Sequence, residues 1–338
     1  KSFDQICFPK QFELQLPQQF LPKFINPNTP YKGVLVYHRI GSGKTCTAVQ
    51  IAEESKKYGK KIIVVVPASL IGNFRGELRS PCAKNTYLTE KEREDLKSLH
   101  PSSKEYKEII DRSNDRINEY YQIYSYNKFV ELAQNNKMSL RNSVLIIDEI
   151  QNMISEDGTF YKVLYDTIYN APSELRVVLL SATPMFDKPV EIALTMNLLR
   201  IPFSLPTGIE FEREFIKVLH NKRTGKYSYR AKNLDIFKER IKGYVSYYRG
   251  ANPIAFPDTK IKYVKCEMND FQYQSYVTVL KNESQNKEQE KIRTVRAFRK
   301  GQILKLPTNF FIGARLISNV AFPNKGINEK GFKSFAGK

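Results

Sequence analysis

The run Gly41-Ser42-Gly43-Lys44-Thr45 has the residue types and spacing needed to hold phosphate groups. It follows the apolar stretch 34–37, and a strand that leads into a glycine-rich turn is a common way to bind a triphosphate. The glycines let the backbone aim several N–H groups at phosphate oxygens, while Lys44 adds a positive charge and Thr45 offers a hydroxyl to magnesium. The next residues have the pattern of a helix, whose positive N-terminal end would face the same phosphates. We therefore predict a nucleotide site with magnesium over residues 41–46.

One position departs from the usual pattern of this loop, which begins with a glycine where this chain has His38. A Gly-x-Gly-Lys-Thr run also occurs in ordinary surface turns. The nucleotide-binding interpretation therefore depends on the motifs that follow along the chain.

Two further motifs each follow an apolar run of strand length. Asp148 and Glu149 come directly after residues 144–147. This pair suits a nucleoside-triphosphatase, because Asp148 can hold Mg²⁺ through water and Glu149 can orient or deprotonate the attacking water. The second motif is Ser181-Ala182-Thr183-Pro184, which in isolation would be a plain strand-to-loop turn.

The segments that must position these motifs alternate between strand and helix patterns. We predict strands at 33–38, 61–66, 120–124, 143–148 and 175–181, separated by segments long enough for helices. Near-continuous apolar strands indicate burial on both faces of a parallel sheet. The predicted fold is a doubly wound α/β domain, in which ligands bind beyond the carboxyl ends of the strands.

The 338 residues are enough for one large domain and a smaller one. No apolar run approaches the ~18 residues of a membrane span, and no signal-peptide pattern opens the sequence. We expect an intracellular protein with no membrane partner.

Positive charge is concentrated in the last third of the chain. From Lys217 onward there are 26 Lys and Arg against 9 Asp and Glu, whereas residues 1–216 carry 28 against 26. This excess favours a nucleic-acid-binding surface, with a solvated or virion-packaging surface, or one that docks an acidic protein, as the alternative. Aromatic residues lie among the charges at 226–230 and 244–249. They would suit base stacking, but the alternation in the second stretch favours a strand.

The four cysteines, Cys7, Cys46, Cys82 and Cys266, are far apart and form no C-x-x-C pair, and the chain has three histidines. This spacing argues against a disulfide framework and against a zinc site. Cys46 belongs to the predicted nucleotide-binding residues. It is either a thiol of lowered pKa at the start of the helix or a buried inert thiol.

Taken in order, the three motifs resemble motifs I, II and III of superfamily-two helicases and translocases. Residues 66–70 with Asn73-Phe74 resemble motif Ia of the chromatin-remodelling branch, and residues 123–126 resemble its motif Ib. The resemblance implies a RecA-like lobe that binds ATP and Mg²⁺ and hydrolyses the ATP to translocate on, or open, DNA or RNA. The residues it implies for nucleic-acid contact are Pro67, Ser69, Ser125 and Tyr126.

The resemblance also assigns roles to two glutamines and to the third motif. Gln18 is similar to the glutamine that reads adenine in this family, with Gln19 as the alternative. Motif II of relatives often reads Asp-Glu-x-His, so the contact that this histidine makes to motif III would fall to Gln151. Motif III, with Ser181, Ala182 and Thr183, would couple the nucleotide state to the nucleic-acid surface.

Other stretches, at 31–38, 197–200 and 247–250, look most like the helicases of large cytoplasmic DNA viruses, which include the small subunit of the poxvirus early transcription factor. That similarity implies a role in viral transcription, in the host cytoplasm and the virion.

A second lobe of this family carries a Gln-x-x-Gly-Arg-x-x-Arg motif that supplies an arginine finger, and no such sequence follows Pro184. We predict an ATP-binding domain over residues 1–250 and a basic connector, or the start of a second lobe, over 251–338. Within it, 281–300 has the composition of a linker or a solvated helix rather than a DNA-binding element. Candidate partners are nucleic acid, a second lobe and a transcription-complex subunit. The alternative function is a nucleotide-binding regulatory subunit with little turnover.

Overall fold

The computed structural model describes residues 12–155, 158–186, 188–221, 226–250, 260–281 and 312–321. The chain divides into two compact units, Lys1–Pro257 and Asp258–Lys338. The connector stretch 281–300 lies, apart from its first residue, outside the described residues.

A parallel sheet forms the centre of the first unit. The strands of this unit, in chain order, are β1 (Gly33–His38), β2 (Lys61–Val66), β3 (Tyr121–Ser125), β4 (Ser143–Ile147), β5 (Arg176–Ser181), β6 (Ile216–Asn221), β7 (Lys226–Ala231) and β8 (Val245–Tyr248). Six of them form one sheet in the order β3-β2-β4-β5-β1-β8, and all of its neighbouring strands run parallel. Strands β6 and β7 form a separate antiparallel hairpin.

The predicted fold class and all five predicted strands are confirmed, with ends that differ from the predicted ones by at most one residue. The strand before the Asp-Glu pair ends at Ile147, so Asp148 is the first residue of the loop. The stretch 244–249 contains a strand, β8, as its alternating pattern predicted, and the structure pairs this strand with β1.

Helices cover both faces of the sheet. They are α1 (Leu16–Phe24), α2 (Lys44–Lys56), α3 (Ile71–Leu78), α4 (Glu90–Ser98), α5 (Lys104–Asn118), α6 (Tyr126–Gln134), α7 (Thr159–Tyr169), α8 (Glu191–Leu198), α9 (Gly208–Phe215) and α10 (Leu234–Ile241). Single 3₁₀ turns lie at Ala68–Leu70, Pro81–Ala83 and Ile150–Asn152. In the second unit, residues 270–281 and Ile312–Asn319 are helical. Across the described ranges, every helix is too short or too polar to cross a membrane.

The core consists of two apolar layers, one on each face of the sheet. In β2, Ile63 and Val65 pack into the layer that includes α6 and α7, whereas Ile62, Val64 and Val66 pack into the layer that includes α2 and α3. All five are fully buried, which is worth about 1.5–3 kcal/mol for each such side chain. This burial on both faces fixes the register of the strands, and so fixes where their polar ends emerge.

The stretch 197–200, part of the similarity to viral helicases, has a structural role. The buried side chain of Asn197 bonds to both backbone groups of Leu205, at 2.9 and 2.8 Å. The Arg200 guanidinium donates to three backbone carbonyls at the end of α7 and in the turn after it, those of Tyr169, Ala171 and Pro172. These contacts lock the loops beside β5.

The prediction that the cysteines form no disulfide is wrong, because Cys46 and Cys82 are joined. The two cysteines are 36 positions apart in the sequence, but α2 and the turn at Pro81–Ala83 lie on the same face of the sheet, with the two Cα atoms 5.8 Å apart. Sequence spacing misled because distance along the chain does not limit distance in space. The Cys46 sulfur is therefore neither a free thiol of lowered pKa nor an inert one. Cys266 is free and exposed, and Cys7 lies outside the described residues.

The disulfide predicts a thiol count. In protein purified without reductant and then denatured, we expect two of the four cysteines to react with a thiol reagent, and all four after reduction. Cys82→Ser should lower the free energy of unfolding by about 2–4 kcal/mol, because a long loop is no longer closed. Cys266→Ser is the matched control and should change it little. Four reactive thiols before reduction would contradict the disulfide.

Candidate nucleotide site

The glycine-rich loop connects the end of β1 to the start of α2. Gly41 and Gly43 both have φ of 77°, in the left-handed region that favours glycine. A side chain on Gly43 would also collide with the amide nitrogen of Gln18. The Gly43 carbonyl accepts from the backbone N–H and the hydroxyl of Thr47, at 3.0 and 3.2 Å. The loop therefore has the backbone that a phosphate cradle requires, and Lys44 and Thr45 begin the helix behind it.

Gln18, the candidate adenine reader, lies against this loop. Its side chain is buried, and its Nε2 donates to the Gly43 carbonyl at 3.2 Å. Its Oε1 accepts from the Gln15 N–H at 2.7 Å. Gln19 is exposed and bonds back to the Leu14 carbonyl. The geometry thus favours Gln18 over Gln19 as the nucleotide-side residue, while contact with adenine stays a prediction.

His38 takes the place of the first glycine without strain, because its φ is not positive. The fully buried ring bonds through Nε2 to Ser246 Oγ on β8 at 2.9 Å and packs edge-on against Tyr248. Burial, with a smaller contribution from the charge of Lys44, lowers the pKa of His38 to about 4. The ring is therefore neutral near pH 7, and it joins the loop to the edge strand of the sheet.

Asp148 is a buried carboxylate at the start of the loop after β4. Its Oδ1 accepts from the Glu149 N–H at 2.9 Å, which is the one hydrogen bond to this carboxylate among the described residues. Burial and the charge of Glu149 raise its pKa to about 6, although Lys44 acts in the opposite direction. A buried carboxylate with one hydrogen bond, and a hydroxyl on Thr45 in the first turn of α2, are the oxygen ligands that Mg²⁺ prefers. The residues present therefore fit a magnesium ion.

Glu149 has a left-handed backbone, with φ of 51° and ψ of 49°. A non-glycine residue in this region costs about 1–3 kcal/mol and persists only where its surroundings hold it. The Tyr126 hydroxyl lies 2.6 Å from the Asp148 carbonyl oxygen and 2.9 Å from that of Glu149, and it donates to this pair. Burial raises the pKa of Tyr126, so the hydroxyl keeps its proton. Tyr126, predicted for nucleic-acid contact, has its hydroxyl turned toward motif II instead.

A chain of hydrogen bonds joins motif II to motif III. Gln151 Nε2 donates to Glu149 Oε2 at 2.6 Å, and Ser181 Oγ donates to Gln151 Oε1 at 2.7 Å. Ser181 Oγ in turn accepts from the Thr183 N–H at 2.9 Å. Gln151 therefore makes the contact to motif III that was expected of it in place of histidine. The predicted catalytic carboxylate and the third motif form one network.

The remaining nucleic-acid candidates lie side by side at the carboxyl edge of the sheet. Val66 pairs with Ser125, so the loop containing Pro67 and Ser69 adjoins the end of β3. Ser69 is exposed. The Ser125 hydroxyl accepts from the Lys128 N–H at 3.3 Å and caps α6. These residues are brought together, and their contact with nucleic acid stays a prediction.

Two other predicted site residues contribute little through their side chains. The Cys46 sulfur is bonded to Cys82 in the core, which leaves only its backbone for a nucleotide. Ala182 lies half-buried between the buried Ser181 and the exposed Thr183.

Sequence reasoning missed the contact of Tyr126 with motif II. The only sequence signal for it is a tyrosine just beyond a strand that ends at the same edge of the sheet.

Comparison with known proteins gives consistent matches. Residues 24–310 match the SNF2-related domain. A protein of Acanthamoeba polyphaga mimivirus, named as an ATP-dependent RNA helicase, is 53% identical over 335 residues, which cover 99% of this chain and 56% of that protein. A termination factor NPH-I homolog of African swine fever virus (isolate Pig/Kenya/KEN-50/1950) is 26% identical over 324 residues, 91% of this chain and 42% of the relative. The chain thus spans about half the length of these viral relatives.

Among solved structures, the Pyrococcus furiosus Hef helicase domain is 16% identical, with a TM-score of 0.38, over 62% of this chain and 41% of that one. The strand order β3-β2-β4-β5-β1-β8 of this chain defines its fold class.

The raised pKa of Asp148 predicts a pH-dependent magnesium effect. Because this carboxylate takes up a proton as the pH falls through about 6, Mg²⁺ must then displace that proton. The rise in thermal unfolding midpoint that Mg²⁺ gives in the presence of ADP should be large at about pH 8 and small at about pH 5. Asp148→Asn has no carboxylate to titrate at this position. The midpoint shifts of this variant therefore measure how much of the pH dependence comes from the nucleotide and not from residue 148. An equal Mg²⁺ effect at both pH values, after subtraction of those shifts, would argue against Asp148 as a ligand.

The network between motifs II and III predicts non-additive losses. Gln151→Leu and Ser181→Ala each break it, so each should lower the turnover number by up to about tenfold, the equivalent of one hydrogen bond. The double variant should be little worse than either single variant. Ser143→Ala removes another buried serine hydroxyl at the opposite edge of the same sheet, and turnover should be unchanged. Fully additive losses would show that the two residues act separately.

Proposed function

Because this chain belongs to the SNF2-related domain family, we propose that it hydrolyses ATP with magnesium and uses the energy to translocate on, or open, a nucleic acid. The names of its viral relatives, an ATP-dependent RNA helicase and a termination factor, support ATP as the nucleotide and nucleic acid as the partner. The observation that carries the proposal is the hydrogen-bonded network from Glu149 through Gln151 and Ser181 to Thr183. It links a candidate water-activating group to the motif expected to couple the two sites.

The chain's own residues divide the work at the carboxyl edge of the sheet. The backbone of residues 41–46 holds the phosphates, Lys44 contacts the β- and γ-phosphates, and Gln18 is on the side of the base. Thr45 and Asp148 hold Mg²⁺, which when bound neutralises charge that develops on the phosphates. Glu149 orients and deprotonates the attacking water. The neutral His38 packs nearby and adds no second positive charge beside Lys44.

Nucleic acid would bind across the adjoining loops. Pro67, Ser69 and Ser125 lie at neighbouring strand ends, and the N-terminus of α6 points from the same edge. Helix N-termini and hydroxyls favour phosphate oxygens, and such contacts position a strand without reading its sequence. The basic last third of the chain would add phosphate contacts.

Viral transcription is the setting that the relatives favour, in the cytoplasm of an infected cell and in the virion. Further partners would be a second helicase lobe and subunits of a transcription complex. The basic residues from Lys217 onward suit contacts with acidic protein surfaces as well as with nucleic acid.

Lys44→Ala tests the nucleotide site. Loss of its charge should reduce ATP hydrolysis by about 10²-fold or more while the fold stays intact. The control is Lys57→Ala, an exposed lysine just past the other end of α2, which should retain wild-type turnover. Unchanged hydrolysis in Lys44→Ala would refute the assignment of the site.

The motor function is tested by adding single- and double-stranded DNA and RNA to the same ATPase assay. Stimulation that weakens as salt is raised supports a nucleic-acid-driven motor. Nucleotide binding without turnover, with or without nucleic acid, would instead support a regulatory subunit.

A further inference from the structure

We propose that Tyr126 is a positioning residue that transmits nucleic-acid binding at the end of β3 to the catalytic carboxylate Glu149. This inference rests on the proposed function. The predicted contact of Tyr126 with nucleic acid is replaced by a mechanical role, because the structure gives its hydroxyl two partners within the protein.

The geometry places one side chain between two motifs. Tyr126 is the first residue of α6 and directly follows Ser125, the last residue of β3. In the sheet, β2 lies between β3 and β4, so the tyrosine ring reaches across the end of β2 to the loop after β4. There its hydroxyl meets the carbonyl oxygens of Asp148 and Glu149 at 2.6 and 2.9 Å.

The ring is anchored as well as the hydroxyl. It is half-buried and packs against the apolar layer that contains Phe129, Val130 and Ile147. A ring held on its apolar part by the core and at its hydroxyl by two carbonyls is poorly placed to stack on a base. It is well placed to move with α6 and to carry the loop after β4 along with it.

The loop that it holds is the strained one. Glu149 keeps a left-handed backbone that few side chains adopt, so its position depends on the contacts around it. Four are in place. Its carbonyl accepts from the Tyr126 hydroxyl and from the Asn152 N–H, its N–H donates to the Asp148 carboxylate, and its own carboxylate accepts from Gln151. Of these four partners, Tyr126 is the one that comes from the predicted nucleic-acid surface.

A phosphate bound at Ser125 would therefore act on Glu149 through one residue. Ser125 caps α6 with its hydroxyl, and a phosphate that competes for the Lys128 N–H or sits at the helix N-terminus would shift the first turn of α6. Tyr126 lies in that turn. Its displacement changes the hold on both motif II carbonyls, and so changes the aim of the Glu149 carboxylate at the attacking water.

Tyr126→Phe tests the contact of the Tyr126 hydroxyl with the two motif II carbonyls, because it removes the hydroxyl and keeps the ring that packs on the core. We expect the basal turnover number to fall up to about tenfold, the value of one such hydrogen bond, and stimulation by nucleic acid to fall with it. The KM for ATP and the affinity for nucleic acid should change by less than about twofold, because neither ligand touches the hydroxyl. Circular dichroism and the thermal unfolding midpoint verify the fold.

Tyr169→Phe is the matched control. Its hydroxyl also donates to a backbone carbonyl, that of Asn197 at 3.2 Å, and its ring is also half-buried, but it lies away from the motifs. All four kinetic and binding quantities should stay at wild-type values in this variant. A merely structural role for Tyr126 would lower the unfolding midpoint of both variants and leave their turnover alike.

Two outcomes would overturn the inference. One is wild-type turnover and stimulation in Tyr126→Phe. The other is a loss of nucleic-acid affinity with turnover intact, which would make Tyr126 a direct contact. Failure of the proposed function has a different signature, since wild-type protein would then show no stimulation at all. Even in that case, the basal turnover of Tyr126→Phe tests whether the hydroxyl contact with the motif II carbonyls positions Glu149.

Discussion

Parallel pairing of β4, β5 and β1 is the constraint on which the candidate site depends. The register sets Ile147 beside Leu179 and Tyr37 beside Ser181, so the three strands end at a common edge. Because each strand is buried on both faces, no strand can slide without exposing apolar side chains or burying polar ones. The phosphate loop, the Asp148-Glu149 pair and the third motif come from distant parts of the sequence. They meet because backbone hydrogen bonds and apolar burial fix the strands in one register.

Much of this edge could be predicted from the sequence, for a physical reason. An apolar run such as residues 62–66 is stable in a sheet that is covered by helices on both faces. The polar residues that directly follow such runs then indicate where the site lies. What could not be predicted is how side chains cross between elements. The direction of Tyr126, the pairing of Cys46 with Cys82 and the Asn197 contact with Leu205 depend on how helices and loops pack, which local patterns do not encode.

Charge at the site is balanced around one lysine. Burial and the charge of Glu149 raise the pKa of Asp148 to about 6. Burial lowers the pKa of His38 to about 4, so its ring is neutral. Desolvation is the largest cause of both pKa shifts, and the positive charge of Lys44 lowers the pKa of both groups. The protein by itself therefore leaves negative charge at the motif II end of the site only partly compensated. A divalent cation there would remove that imbalance.

The hydrogen bond between His38 and Ser246 joins residues 208 positions apart, and it has a consequence for the order of folding. In the sheet, β2 and its neighbours β3 and β4 lie within the first half of the sequence, whereas β1 is flanked by β5 and by β8. Strands with such distant partners must close long loops before they gain any contacts, so they tend to join late. We therefore expect the phosphate loop, although it precedes β5 and β8 in the sequence, to be among the last parts to reach its final shape during synthesis. The chain would acquire the capacity to hold a nucleotide only when the strand that closes its sheet has emerged.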